Sequence, residues 1–203
     1  MDMTVEQQKN IARDVMDGIK IIDPYALLAG GAPRDWYFGN PCNDLDVYYY
    51  SNGDTISASK GQLQSLFPHV TFTNRSERFE NKSVDEHREV YNSMKFLRRV
   101  YETQVGGLKV QFIQLEENKR QFDVVSAMDV SICQCWYNHY KDAVVLSDNF
   151  KLTLATDIMF LPNGNSWSDK HPLKMRERFE RFSCGTKEQA QSKLVREALR
   201  GFD

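Results

Sequence analysis

Apolar positions along the chain alternate between helical and strand spacing. Ile11, Ala12, Val15, Met16 and Ile19 recur on one face of a helix, Thr4 and Gln7 form a capping-box pattern ahead of them, and Asp23-Pro24 stops the segment. Residues 25–29 are a short apolar run that enters Gly30-Gly31, which predicts a buried strand and a tight turn. Residues 32–38 predict a short helix with Pro33 in its first turn, where a missing N–H costs little. Gly39-Asn40-Pro41 breaks it, and a second strand is expected over 44–50.

Further on, 61–67 reads as the end of a helix and 69–73 as a strand, with 74–89 a polar, doubly charged loop. Residues 90–103 and 108–115 flank Gly106-Gly107 as a β-hairpin. Residues 128–137 and 143–146 read as strands, the first with Cys133 and Cys135 on one face. The tail predicts two helices, 173–182 and 187–199. The second carries Ala190, Leu194, Val195, Ala198 and Leu199 on one side and Lys193, Arg196 and Arg200 opposite. The fold class is therefore α+β: a small mixed β-sheet with flanking helices over residues 1–160, and a short helical C-terminal appendage over 161–203.

Composition narrows the function classes. With 203 residues, 41% hydrophobic and 27% charged, the chain has globular make-up. No apolar run approaches the roughly 20 residues of a membrane span. The first residues lack the apolar stretch of a signal peptide, so a cytoplasmic protein is expected. The net charge of −2 is too balanced for coating nucleic acid by charge alone. From Asp169 onward, however, nine Lys/Arg face six Asp/Glu, which places any RNA contact on the C-terminal helices. Four irregularly spaced cysteines make no disulfide framework, and Cys133-x-Cys135 with His139 fits no usual zinc spacing.

One block concentrates candidate chemistry: Leu28-Ala29-Gly30-Gly31-Ala32-Pro33-Arg34-Asp35, followed by Asp44-Leu45-Asp46. Two glycines at a strand-to-helix turn admit a ligand close to the backbone and present N–H groups at a helix start, which suits phosphate. Arg34 adds a guanidinium whose fork matches phosphate oxygens. Asp44 and Asp46, two apart on a strand, point to one face. Two converging carboxylates beside a phosphate cradle suit Mg²⁺ or Mn²⁺.

The stretch from Leu28 to Tyr48, in the order apolar strand, Gly-Gly-x-x-Arg-Asp, short helix ending in Gly, and Asp-x-Asp, resembles the signature of the DNA-polymerase-β-like nucleotidyltransferase superfamily. It is most similar to the branch of tRNA CCA-adding enzymes and bacterial poly(A) polymerases. The resemblance implies a polymerase-β-like nucleotidyltransferase fold, with Asp44 and Asp46 as catalytic metal ligands and Gly30, Gly31, Arg34 and Asp35 on the nucleoside triphosphate. Met128-Asp129-Val130-Ser131-Ile132-Cys133 resembles a second segment of that branch, which implies a nucleotide-orienting or turn-capping role for Asp129; Cys133 stands where the family has Asn.

Two departures bear on activity. Many members carry a third acidic residue on a neighbouring strand, and here Gln111 stands at that position. An amide takes no proton at neutral pH, so the attacking hydroxyl is activated by metal alone, or Glu116, Glu117 or Asp123 supplies the charge, or catalysis has been lost. The chain also ends roughly 160 residues after Asp-x-Asp, where full CCA-adding enzymes continue into long helical regions. The expected activity is metal-dependent transfer of a nucleoside monophosphate from a triphosphate to an acceptor hydroxyl, an RNA 3′ end first. A protein or small-molecule acceptor, or a non-catalytic binding module of the same fold, are the alternatives.

Overall fold

In the computed structural model, residues 3–52, 55–74, 97–116 and 121–200 are described. Helix α1 (Val5–Ile19) begins at Thr4, whose hydroxyl accepts from the Gln7 N–H while the Gln7 side chain accepts from the Thr4 N–H. Its face of Ala12, Val15, Met16 and Ile19 is fully buried. Val15, Met16 and Ile19 each contribute about 1.5–3 kcal/mol by their burial. Strand β1 (Leu27–Ala29) leads into α2 (Gly31–Tyr37), then β2 (Asp44–Tyr50), α3 (Ile56–Leu66) and β3 (Thr73–Asn74). The hairpin β4 (Leu97–Val105) and β5 (Leu108–Leu115) turns at Gly106 and Gly107, both at positive φ.

The second half holds α4 (Gln121–Ser126), a 3₁₀ turn (Ser131–Cys133), β6 (Cys135–Asn138), β7 (Ala143–Leu146), α5 (Asp148–Thr156), β8 (Ile158–Met159), α6 (Lys170–Arg178), β9 (Ser183–Cys184) and α7 (Lys187–Leu199). The main sheet runs β3-β4-β5-β2-β1-β6-β7. It is mixed: β2 and β5 are parallel and every other neighbouring pair is antiparallel. Strands β8 and β9 form a separate parallel pair.

Alternation along the strands divides the core. Leu45, Val47 and Tyr49 of β2 and Val110 and Phe112 of β5 pack with α1 and α3 on one face. Tyr48, Ile113 and Leu115 pack on the other face with Phe150, Met175, Phe179 and Phe182. Asp44 and Asp46 share the parity of Tyr48, so they occupy the polar end of that second face. Gln8 fixes the loop before them from behind. Its carbonyl oxygen accepts from Trp36 Nε1 (3.0 Å) and the Cys42 N–H (2.8 Å), and its amide donates to the Cys42 carbonyl (2.9 Å).

Several sequence expectations need correction. Of residues 69–73 only Thr73 is strand, because the chain bends after Pro68 before joining β4. The run 128–137 is not one strand: residues 131–133 tighten into a 3₁₀ turn, stabilised by Ser131 Oγ, which bonds Thr153 Oγ1 at 2.7 Å and accepts from the Phe160 N–H. Cys133 and Cys135 are buried core residues as expected, but on different elements. The face of α7 is also inverted. Ala190 is buried and Lys193 donates to the Thr156 carbonyl at the end of α5, whereas Leu194, Val195 and Leu199 are 42%, 57% and 61% exposed. Residues 75–96, covering most of the predicted polar loop and the start of the hairpin, and Glu117 lie outside the described residues.

Candidate functional site

The chain leaves β1 beside the Asp44–Asp46 end of β2, because the two strands are antiparallel with Leu28 opposite Val47. Gly30 makes the turn at φ 84° and ψ −121°, a conformation for glycine alone, and its N–H is held by the Cys135 carbonyl at 3.1 Å. Gly31 is already helical, and a Cβ there would make only ordinary contact, with Arg34 at 3.7 Å.

A cleft of about 210 Å³ opens here. Gly30, Gly31, Arg34, Asp35, Asp44, Asp46 and Asp129, the seven residues singled out from sequence, all line it. Its opposite wall comes from α6, through His171, Lys174, Met175 and Arg178. These last four were not among the expected site residues, since the stretch was read only as a helix over 173–182. Their spacing of three, four and seven was the available signal.

Arg34 and Asp35 are both nearly fully buried. Arg34 Nε and Nη2 each lie 2.9 Å from Asp35 Oδ1, and Nη1 points at Cys133 Sγ (3.2 Å) and Met175 Sδ (3.0 Å). Arg178 Nη2 donates to the second Asp35 oxygen at 3.0 Å. Burial opposes the charge of Arg34, but Cys133 and Asp35 hold its pKa above the ordinary arginine value. The Cys133 thiol is pushed up to about 11 by burial and is neutral at pH 7. Asp129 accepts from His171 Nδ1 through both oxygens, at 2.9 and 2.8 Å, which ties the N-terminal end of α6 to the segment after α4.

Asp44 and Asp46 are half-buried. Burial first, then the neighbouring Asp44 carboxylate, pushes the Asp46 carboxyl up to about 7, against the pull of Lys109 and Arg34. Lys109, opposite Asp44 on β5, pairs with Asp44 Oδ2 at 3.2 Å. Gln111 stands opposite Asp46, where sequence placed it, and its amide donates to Glu102 of β4. Among the described residues no group of three or more His, Cys, Asp or Glu gathers as a metal cage. The candidate donors are two carboxylates, one of them paired with Lys109. That suits a hard divalent ion such as Mg²⁺, which binds through one or two carboxylates and completes its shell with water and substrate phosphates.

The fold is a polymerase-β-like nucleotidyltransferase fold. The chain aligns over 98% of its length with a tRNA-processing enzyme in apo form (TM-score 0.60, 17% identity), covering 48% of that chain. It aligns over 95% of its length with a CCA-adding enzyme bound to CTP (TM-score 0.57, 14% identity, 44% of that chain). It also aligns over 97% of its length with the Thermotoga maritima CCA-adding enzyme in complex with tRNA (TM-score 0.57, 14% identity, 47% of that chain). At these identities the likeness is one of fold, and the chain spans about half the length of the structures it matches. No protein-family model and no curated protein sequence matches it. Among the described residues no helix is long and apolar enough to cross a membrane.

Proposed function

We propose that the cleft binds a nucleoside triphosphate with a divalent cation and transfers its nucleoside monophosphate to an acceptor hydroxyl, with an RNA 3′ end the favoured acceptor. One observation carries this reading: Asp44 and Asp46 open onto the same cleft as the Gly30-Gly31 turn and the cationic wall of α6. The fold neighbours with bound CTP, and one with primer tRNA and an ATP analogue, support a triphosphate and RNA as the ligands to test first.

In this reading the turn at Gly30 brings backbone close to the triphosphate, and Lys174 and Arg178 add positive charge from α6. Arg34 acts mainly through its neighbours: nearly all its donors are engaged, so it holds Asp35 and the floor of the cleft in place. Asp44 and Asp46 would hold the cation, which when bound neutralises charge developing on the phosphate oxygens. The acceptor oxygen bonds to the α-phosphorus, the bond to the bridging oxygen breaks, pyrophosphate leaves, and the hydroxyl proton passes to solvent.

A non-catalytic module of the same fold is the second reading. It is favoured by Gln111, which faces Asp46 with an amide committed to Glu102. Incubation of the chain with α-labelled triphosphates and Mg²⁺ or Mn²⁺, offered total RNA and total protein in parallel, separates the readings. Label in RNA supports the first, and label in protein moves the acceptor class. No label in either pool, together with no triphosphate binding, supports the module.

A further inference from the structure

Lys109 and Glu102 border the carboxylate pair. Register places five polar residues on one face of three strands: Asp44 opposite Lys109, Asp46 opposite Gln111, and Gln111 opposite Glu102. Lys109 Nζ sits between two acids, 3.2 Å from Asp44 Oδ2 and 3.3 Å from Glu102 Oε2. Gln111 Nε2 donates to the same Glu102 oxygen at 3.0 Å. The strand positions beside Asp44 and Asp46 thus hold an ammonium and an amide, and the next acid outward is spent on both.

This row defines how many cations it can accept. Paired divalent ions about 3.5–4 Å apart need carboxylate oxygens that bridge or flank both. One oxygen of Asp44 already accepts from Lys109, and Glu102 is engaged by Lys109 and Gln111. A second divalent ion would have to stand against a fixed ammonium.

Resting on the reading of Asp44 and Asp46 as cation ligands, we propose that Lys109 is a resident cation that confines the site to one divalent ion and fixes Asp44 to receive it. Lys109 is a positioning residue: it restrains one oxygen of Asp44 and leaves the other, with Asp46, for the ion. Glu102 and Gln111 in turn hold Lys109, and the side chain at 111 serves the ammonium rather than the metal.

The test is Mn²⁺ titration of the whole chain without nucleotide, with free Mn²⁺ read by its electron paramagnetic resonance signal. Wild type is expected to bind one Mn²⁺ per chain and Lys109→Arg also one. Lys109→Gln, which empties the space between Asp44 and Glu102, is expected to bind two. Two ions in wild type, or a Lys109→Gln titration identical to wild type, overturns the proposal. The Asp44→Asn/Asp46→Asn variant separates the two layers of argument. Undiminished binding there removes the cation reading of the pair, as does a wild type that binds none, and either result takes the proposal with it. The wild-type stoichiometry tests the proposal even where a variant fails to fold.

Discussion

Arg178 Nη2 donates to Asp35 Oδ2 at 3.0 Å across 143 positions of chain, while Arg34 donates to the other oxygen of the same carboxylate at 2.9 Å. One buried acid therefore joins the first turn after Gly30-Gly31 to the last turn of α6 and sets the width of the cleft. Removing its charge leaves the buried Arg34 guanidinium without a counter-charge, the costly way to break such a pair. Asp35→Asn is expected to lose about 3–5 kcal/mol of stability in urea unfolding. Arg178 is about one-third exposed, so Arg178→Ala is expected to cost only about 1 kcal/mol. An Asp35→Asn loss no larger than that of Arg178→Ala would show that Asp35 is not the joint.

The two glycines of the turn differ in kind. Gly30 lies at φ 84°, and a Cβ there would also meet Met128 Cε at 3.4 Å. Gly31 is helical and would make only ordinary contact with Arg34 at 3.7 Å. Gly30→Ala should cost about 1–3 kcal/mol, while Gly31→Ala should unfold close to wild type. Paired denaturant curves check this, and equal costs would contradict it.

Much of this was legible in the sequence. Helix α1 and strand β2 follow from strict periodicity, and six of the seven cleft residues are gathered by one local strand-turn-helix-strand unit, with Asp129 added from the segment after α4. What was not legible depends on tertiary contact. The apolar residues of α7 read as its buried side, yet the helix docks through Ala190 and Lys193 because the α5 terminus offers the Thr156 carbonyl to an ammonium. Helix α5, with its alternating Lys151, Thr153 and Thr156, lacks a helical apolar stripe; its threonines are buried by bonding back to the Asn149 and Leu152 carbonyls. The α6 wall escaped notice since the spacing of His171, Lys174, Met175 and Arg178 marks one helix face but not that the face borders a cleft.

Asp46 carries a pH signature. Its carboxyl lies at about 7 in the folded chain against 3.8 for the ordinary group, so the folded state holds a proton that the unfolded state releases. Its contribution therefore favours folding least at high pH: stability of the metal-free chain should fall as pH rises from about 4 through 7. Asp46→Asn should remove that decline and raise the melting temperature at pH 8 relative to wild type. Melting curves at pH 5 and pH 8 are sufficient, and a wild type more stable at pH 8 than the variant would contradict the placement of this charge.

Lys174 and His171 face the cleft from α6. A charge-assisted contact to phosphate is worth about 1.5–3 kcal/mol, so Lys174→Ala should weaken triphosphate binding at least tenfold. His171→Ala should act through Asp129, lowering affinity while leaving Asp44 and Asp46, and hence Mn²⁺ binding, unchanged. Isothermal titration with CTP and ATP measures both. Unaltered affinity in Lys174→Ala would move the triphosphate away from α6.

The most direct measurement is pyrophosphate released per mole of labelled acceptor, compared between wild type and Asp44→Asn/Asp46→Asn. The account expects one pyrophosphate per nucleotide transferred in wild type, dependent on the divalent ion, and none in the variant. Equal release by the variant, or label retained without pyrophosphate, would contradict it.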